Sequence, residues 1–289
     1  MAEILRGKPV AEAITEKTIA ETEALKAQGI YPTLCILRVG ERPDDISYER
    51  AAIKRCGKMG VDVKTVVLPE NVEQKAFDKA LMALNKDETV HGILLFFPLP
   101  AQLSDDRARK LLSPDKDIDG CTDISEAGVF ANKHQGFPPC TAQAIMEIIK
   151  YYEVPVYGKT ATVIGRSLVV GRPVSMMLMH ENATVTTCHT KTPNTAEVAR
   201  RADILVTACG QLGLVTSEFT NPDQTVIDVG TNWDNERGVF VGDVNFDDVE
   251  PNCKAISPVP GGVGAVTTCL LISHVVEAAK RASVSEVTE

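Results

Sequence analysis

The first part of the chain alternates between runs of apolar residues and segments in which apolar residues recur every three or four positions. Such runs are typical of buried strands, and the longer period is typical of helices that pack on one face. The predicted elements are helix 10–28, strand 33–39, helix 46–59, strand 61–68, helix 72–85, strand 90–97 and helix 104–112. Because strands and helices alternate, the pattern predicts βαβ units and a mostly parallel sheet.

The periodicity fades from Pro114 to Pro139, where glycine and proline recur, so a linker is predicted there. A second α/β run follows: helix 141–152, strand 160–164, helix 172–181, strand 183–187, helix 194–201, strands 203–207 and 225–229, and helix 263–281. We therefore expect two α/β domains with a ligand cleft between them. The first domain is predicted to be 1–139, completed by the C-terminal helix 263–289, and the second 140–262.

Composition narrows the class of protein. The chain has 289 residues, of which 44% are hydrophobic and 24% charged, as in globular proteins. It has no apolar run of membrane-spanning length and no secretory leader, so a cytoplasmic protein is expected. A net charge of −9 argues against nucleic-acid binding. The eight cysteines form no C-x-x-C pair, which favours buried thiols and predicts no metal site.

The stretch from Val163 to Pro173 predicts a dinucleotide site. An apolar run ends at Gly165, a turn of small residues follows, and a helix is predicted next, which is the layout that aims a helix N-terminus at a pyrophosphate. Gly165 permits the turn, Ser167 can donate a hydrogen bond to phosphate, and Gly171 lets the helix come close. The same pattern is also compatible with an ordinary turn between strand and helix.

The end of the next strand favours NADP over NAD. NAD-binding folds carry an acidic residue there for the ribose 2′-hydroxyl, whereas this strand ends in Cys188-His189-Thr190-Lys191. A hydroxyl and a cation, together with Arg166 on the glycine turn, suit a 2′-phosphate. Lys191 is alternatively a solvated surface charge. The later strand ends, 207–211 and 228–232, are consistent with a ribose and nicotinamide pocket lined by backbone.

Six segments taken together resemble one enzyme family. They are residues 92–100, 114–120, 139–141, 165–173, 183–189 and 258–264. In this order they are similar to the methylenetetrahydrofolate dehydrogenase/methenyltetrahydrofolate cyclohydrolase family, and the resemblance spans nearly the whole chain. It implies a homodimer of two α/β domains with the folate in the interdomain cleft. It also implies two reactions of one-carbon metabolism, oxidation of methylenetetrahydrofolate to the methenyl cation and hydrolysis of that cation to formyltetrahydrofolate.

The resemblance also assigns residues. Tyr48 matches the family's folate-stacking tyrosine and Asp119 its folate-binding aspartate, and we take both as catalytic-site residues. The residues implied to form a loop over the substrate are Pro260, Gly261, Gly262 and Val263. The residues implied to contact the cofactor are Gly165, Arg166, Ser167, Thr190 and Thr231.

Two positions depart from the family pattern. Ala52 stands where the family has its main cyclohydrolase lysine, and Phe96 stands where it has the glutamine that supports that lysine. Lys54 and Arg50 are not on the helix face of Tyr48, so neither replaces the lost cation. Hydride loss moves no proton, whereas hydrolysis needs water activation and proton shuttling. The sequence therefore predicts a dehydrogenase with weak or absent cyclohydrolase activity that works with a separate cyclohydrolase.

Other functions stay open at this point. A bifunctional enzyme would hydrolyse its product with other residues, for example Asp119. A catalytically silent folate- or nucleotide-binding protein would not reduce the cofactor. A dehydrogenase of another small molecule would need a histidine or lysine acid–base group in the cleft, and none of the five histidines lies in such a motif.

Overall fold

The computed structural model describes residues 1–285, which form two compact units. One unit contains residues 1–12 and 141–267, and the other contains residues 13–140 and those from 268 onward. The sequence-based boundaries place residues 1–12 in the first domain, whereas the structure groups them with 141–267. Of the predicted C-terminal helix 263–289, residues 286–289 lie outside the described residues.

The elements of the described chain are short to medium in length. The helices are α1 Gly7–Lys26, α2 Pro43–Met59, α3 Gln74–Lys86, α4 Asp105–Leu111, α5 Asp123–Ala131, α6 Cys140–Tyr151, α7 Gly171–His180, α8 Thr195–Arg200, α9 Phe246–Val249 and α10 Gly264–Ser285. The strands are β1 Glu3–Ile4, β2 Thr33–Val39, β3 Asp62–Leu68, β4 Gly92–Leu95, β5 Thr160–Ile164, β6 Thr184–Cys188, β7 Ile204–Thr207, β8 Thr225–Asp228, β9 Asn232–Asp234, β10 Val239–Val241 and β11 Ala255–Ile256. No helix among them has the length and apolarity needed to cross a membrane.

The unit that contains α2 is built on a parallel sheet of order β3-β2-β4. Every residue of the central strand β2 is buried, as expected for a parallel strand between two neighbours. The edge strand β3 instead consists of exposed and half-buried residues. The fully buried Phe77 and Leu81 of α3 pack into the same core as β2 and β4.

The other unit contains a six-stranded parallel sheet of order β1-β11-β8-β7-β5-β6. The chain passes from β5 to β6 on one side and then returns to β7 on the other side. This reversal of strand order is a topological switch point, and in open α/β sheets ligands bind there, outside the carboxyl ends of the strands. The predicted α/β class with two parallel-sheet domains is confirmed.

The predicted linker at 114–139 is wrong, because α5 lies within it. Thr122 caps this helix by accepting a hydrogen bond from the backbone N–H of Ser125 (3.2 Å), and Asn132 ends it in the left-handed conformation at φ 52°. The helix has only nine residues and contains Gly128, so its period is too short to stand out among the surrounding glycines and prolines. Strands of two or three residues, such as β1 and β9, give no periodic signal either.

Candidate active site

The turn after β5 requires both of its predicted glycines. Gly165 has φ +128°, and a Cβ there would lie 2.2 Å from the carbonyl oxygen of Ala208 at the end of β7. A Cβ on Gly171 would lie 2.2 Å from the carbonyl oxygen of Gly165. Hydrogen at these two positions lets the β5 turn, the β7 end and the start of α7 meet closely, at the switch point of the sheet.

Ser167 organises the turn that leads into α7. Its Oγ accepts hydrogen bonds from the backbone N–H groups of Val170 (3.1 Å) and Gly171 (3.4 Å). Both bonds use oxygen lone pairs, so the O–H remains able to donate to an anion. Ser167 and the neighbouring Arg166 are exposed, which leaves the start of the helix open to a phosphate.

The predicted cations stand beside this turn. The Gly165 N–H donates to the carbonyl of Cys188 (2.9 Å), which sets the β5 turn next to the loop after β6. In that loop the Lys191 N–H donates to Nδ1 of His189 (3.1 Å), and both Lys191 and Thr190 are exposed. Within residues 1–285, neither Arg166 nor Lys191 forms an ion pair. A close glycine turn, an open helix start and two available cations fit a dinucleotide with a 2′-phosphate.

The loop after β8 carries the remaining predicted cofactor residue. Thr231 is exposed, directly after Gly230, whose N–H donates to the carboxylate of Asp228 (2.9 Å). Asp228 is buried, and this burial raises the pKa of its carboxyl to about 6, although three backbone N–H groups act in the opposite direction. Sequence reasoning missed the buried polar groups beneath this loop, because nothing in the local pattern marks them.

In the other unit, Tyr48 on α2 lies beside Phe96, just after β4. Their ring centroids are 5.9 Å apart at an interplanar angle of 81°, an edge-on contact. The side chain of Thr268 lies near the Tyr48 hydroxyl. Burial, and next the negative charge of Asp119, raise the pKa of Tyr48, so its hydroxyl stays protonated at neutral pH. The residue is 39% exposed, so part of it is open to a ligand.

The Asp119 carboxyl shares this region with Tyr48. Although Asp119 as a whole residue is exposed, desolvation by the surrounding protein raises the pKa of its carboxyl to about 6. A hydrogen bond with the Cys140 thiol lowers this pKa, and the nearby carboxyl of Asp117 raises it. The structure thus brings Tyr48 and Asp119 together. Cys140 and Thr268, which lie near these two groups, were not identified as site residues from the sequence.

The two departures from the family pattern lie at the same place. Ala52 follows Tyr48 by one helical turn and is fully buried, and Phe96 is half-buried against the Tyr48 ring. Lys54 and Arg50 are exposed, as expected from their positions on the helix. The described residues around Tyr48 therefore include a methyl group and a phenyl ring where an ammonium and an amide are expected by resemblance.

The predicted substrate loop belongs to the unit with the six-stranded sheet. Gly261 has φ +101°, and its carbonyl accepts a hydrogen bond from the N–H of Gly7 (2.8 Å). A Cβ on Gly262 would lie 2.5 Å from the carbonyl oxygen of Pro258. Pro260 is exposed and Val263 is buried. The loop is therefore a tight turn whose two glycines are required by its backbone.

The sequence of this chain matches the models of one protein family over both of its units. Residues 5–119 match the family model for the catalytic domain of tetrahydrofolate dehydrogenase/cyclohydrolase, and residues 139–283 match the model for its NAD(P)-binding domain. The bifunctional protein FolD of Carboxydothermus hydrogenoformans is 49% identical over 279 residues, which are 96% of this chain and 97% of that protein. FolD of Clostridioides difficile is 46% identical over 96% of both chains.

Solved structures agree with these sequence matches. The bifunctional enzyme FolD of Campylobacter jejuni has a TM-score of 0.94 at 35% identity, covering 97% of this chain and 99% of that one. The FolD of Trypanosoma brucei, solved with NADP cofactor and an inhibitor, has a TM-score of 0.90 at 35% identity, covering 98% of each chain. The resemblance inferred from the sequence is confirmed, and the chain belongs to the tetrahydrofolate dehydrogenase/cyclohydrolase family.

Proposed function

We propose that this protein oxidises methylenetetrahydrofolate to methenyltetrahydrofolate with NADP as the cofactor, and that it hydrolyses the product slowly or not at all. The observation that carries the proposal is the pairing of an intact glycine turn and Tyr48 with Ala52 and Phe96. The residues for binding and orienting the reactants are present, whereas those expected to activate water are replaced.

For the oxidation, the protein needs only to position the folate and the cofactor and to stabilise the charge that develops. The lone pair of a folate nitrogen drives hydride loss from the methylene carbon, so no proton moves in that step. NADP, when bound, supplies the hydride acceptor. We assign Gly165, Ser167 and Thr231 to holding this cofactor, and Tyr48 to stacking against the folate. The carboxylate of Asp119 anchors the folate by accepting hydrogen bonds from its ring.

Hydrolysis of the methenyl product requires acid–base catalysis in addition to binding. Water must be activated and protons must move, and a positioned acid or base contributes about 10²–10⁴-fold to such a step. Tyr48 keeps its proton, because its pKa is raised, so it cannot act as a base near neutral pH. Ala52 and Phe96 carry no titratable group. On this account the methenyl product leaves the enzyme unhydrolysed.

The second candidate is a bifunctional enzyme. It is favoured by relatives at 43–49% identity, which are named bifunctional FolD proteins. It is also favoured by Asp119, because a carboxyl whose pKa is about 6 is largely ionised at neutral pH and can accept a proton from water. Analysis of the products formed from methylenetetrahydrofolate and NADP separates the two candidates. We expect methenyltetrahydrofolate to accumulate, whereas a bifunctional enzyme would form formyltetrahydrofolate. If no NADPH forms, both are rejected.

Arg166 and Lys191 are expected to set the preference for NADP. Each substitution, Arg166→Ala and Lys191→Ala, removes a charge-assisted hydrogen bond to the 2′-phosphate, so the KM for NADP should rise about 10-fold or more while the KM for NAD changes little. Steady-state kinetics with both cofactors make the measurement. Lys254→Ala, at another exposed lysine of the same unit, is the matched control. Equal effects on NADP and NAD would contradict the assignment.

The pKa of Asp119 predicts a pH dependence. Above about pH 6 its carboxylate is ionised and accepts hydrogen bonds from the folate ring, whereas protonation below that pH removes acceptor capacity. We therefore expect kcat/KM for the folate to fall about tenfold per pH unit below that pKa. A profile from about pH 5 to 8 tests this, with Asp119→Asn as the variant that should lose the inflection. A flat wild-type profile would reject the role of Asp119.

We also propose an oligomeric state and a second enzyme that works with this protein. The family resemblance supports a homodimer, and a separate cyclohydrolase follows from the loss of the second activity. Light scattering of the purified protein measures the oligomeric state. A monomer at working concentration would remove the dimer from the proposal.

A further inference from the structure

Asp243 is a fully buried carboxylate that binds two loops at once. It follows the hairpin of β9 and β10, and its Oδ2 accepts hydrogen bonds from the N–H groups of Cys209 (2.7 Å) and Gly210 (3.1 Å). Its Oδ1 accepts from the N–H of Gln211 (2.9 Å) and from the side-chain amide of Asn232 (3.0 Å). These four bonds connect the loop after β7 to Asn232, where β9 begins directly after the loop that follows β8.

A second buried carboxylate, Asp228 at the end of β8, extends the network. Its Oδ1 accepts hydrogen bonds from the N–H of Asp243 (3.1 Å), the N–H of Gly230 (2.9 Å) and the hydroxyl of Thr207 (3.1 Å). Its Oδ2 accepts from the N–H of Val244 (3.0 Å). The ends of β7 and β8 are thus tied to the segment that follows the hairpin.

The donors in this network are mostly backbone N–H groups. Across residues 1–285 neither carboxylate forms an ion pair with lysine, arginine or histidine. The protein backbone wraps them closely: a Cβ on Gly230 would lie 2.3 Å from the N of Asp243, and a Cβ on Gly242 would lie 1.7 Å from Oδ2 of Asp228. Bonds to backbone N–H groups fix the path of a loop directly, so Asp243 determines the conformation of 209–211.

The loops held by Asp243 lie where a ligand is expected. Both follow the carboxyl ends of parallel strands, and the residue before 209–211, Ala208, contacts the Gly165 turn at the switch point. We propose that Asp243 is a positioning residue for the dinucleotide, which holds 209–211 and 230–232 in the conformation that binds its nicotinamide-ribose half. This inference rests on the proposed use of NADP.

Asp243→Asn tests the inference. The amide replaces one acceptor oxygen with a donor, so backbone N–H groups of the 209–211 loop lose their partner and the binding-competent conformation becomes less populated. We expect the Kd for NADP, measured by calorimetry, and the KM for NADP to rise about 10- to 100-fold, with the KM for the folate little changed. Asp248→Asn is the matched control, since the Asp248 carboxylate accepts a backbone hydrogen bond from Ser217 (2.7 Å) in the same unit.

Amide hydrogen exchange gives a second measurement. Exchange at 209–211 should be faster in Asp243→Asn than in the wild type, and saturating NADP should slow it. If Asp243→Asn does not fold, Asn232→Ala removes one of the four donors and should raise the Kd for NADP by a smaller factor. An unchanged Kd in the folded variant, or equal rises in both KM values, would overturn the inference. A wild-type protein that binds no NADP would instead reject the proposed cofactor.

Discussion

Replacing Gly165 by alanine is expected to raise the Kd for NADP at least about 100-fold, the effect of losing two hydrogen bonds to a charged phosphate at about 1.5 kcal/mol each. The backbone at Gly165 has φ +128°, a conformation that residues with a Cβ rarely adopt. The new Cβ would also meet the backbone of Ala208 at 2.2 Å, so the turn must move away from β7. Calorimetric titration with NADP measures the loss, and thermal unfolding should show a lower Tm.

The substitution Gly158→Ala is the control that separates the effect of steric overlap at Gly165 from the effect of backbone strain alone. Gly158 has φ +72° in the same unit, but a Cβ there meets nothing within 4 Å. The substitution should therefore cost about 1–2 kcal/mol of stability and leave the affinity for NADP unchanged. If Gly165→Ala binds NADP as tightly as Gly158→Ala does, the glycine turn is not the dinucleotide site.

The double substitution Ala52→Lys with Phe96→Gln is expected to create cyclohydrolase activity. The lysine returns an ammonium one helical turn from Tyr48, and the amide replaces the phenyl ring that contacts the Tyr48 ring. We expect hydrolysis of methenyltetrahydrofolate to increase about 10²–10⁴-fold over the wild type, the usual contribution of a positioned acid or base. The decay of the methenyl absorbance measures it.

The matched control moves the lysine by one residue. Ala51 is exposed, whereas Ala52 is fully buried, so Ala51→Lys with Phe96→Gln has the same composition but an ammonium directed elsewhere on the helix. It should gain no hydrolysis. Dehydrogenase activity in both variants shows that they are folded. Equal hydrolysis by the two variants, or none by either while oxidation persists, would show that these positions do not decide the second reaction.

The alternation of apolar runs and periodic segments was sufficient to predict most of the architecture. β2, β5 and β8 are buried runs in parallel sheets, where burial on both faces leaves an apolar signature. Helix α5 was missed because its nine residues contain a glycine and lie among prolines. The hairpin of β9 and β10 has strands of three residues, too short for a period to show.

The candidate site was predictable to a different degree in each unit. The glycine turn could be found because its residues are contiguous and each has a local physical reason. Tyr48 and Asp119 are 71 positions apart in the sequence, and only the family resemblance connected them before the structure did. Asp243 was missed, because its partners at 209–211 lie more than 30 positions earlier and are backbone N–H groups, which have no side-chain signature.

We propose that oxidation and hydrolysis are separated in this protein. The most direct measurement supplies methenyltetrahydrofolate to the purified enzyme and follows its absorbance against buffer, with the dehydrogenase turnover of the same preparation as the reference. We expect decay at the buffer rate, or far below the rate of dehydrogenase turnover, from an enzyme that oxidises methylenetetrahydrofolate readily. Enzyme-dependent decay at a rate comparable to dehydrogenase turnover would contradict it and establish the bifunctional alternative.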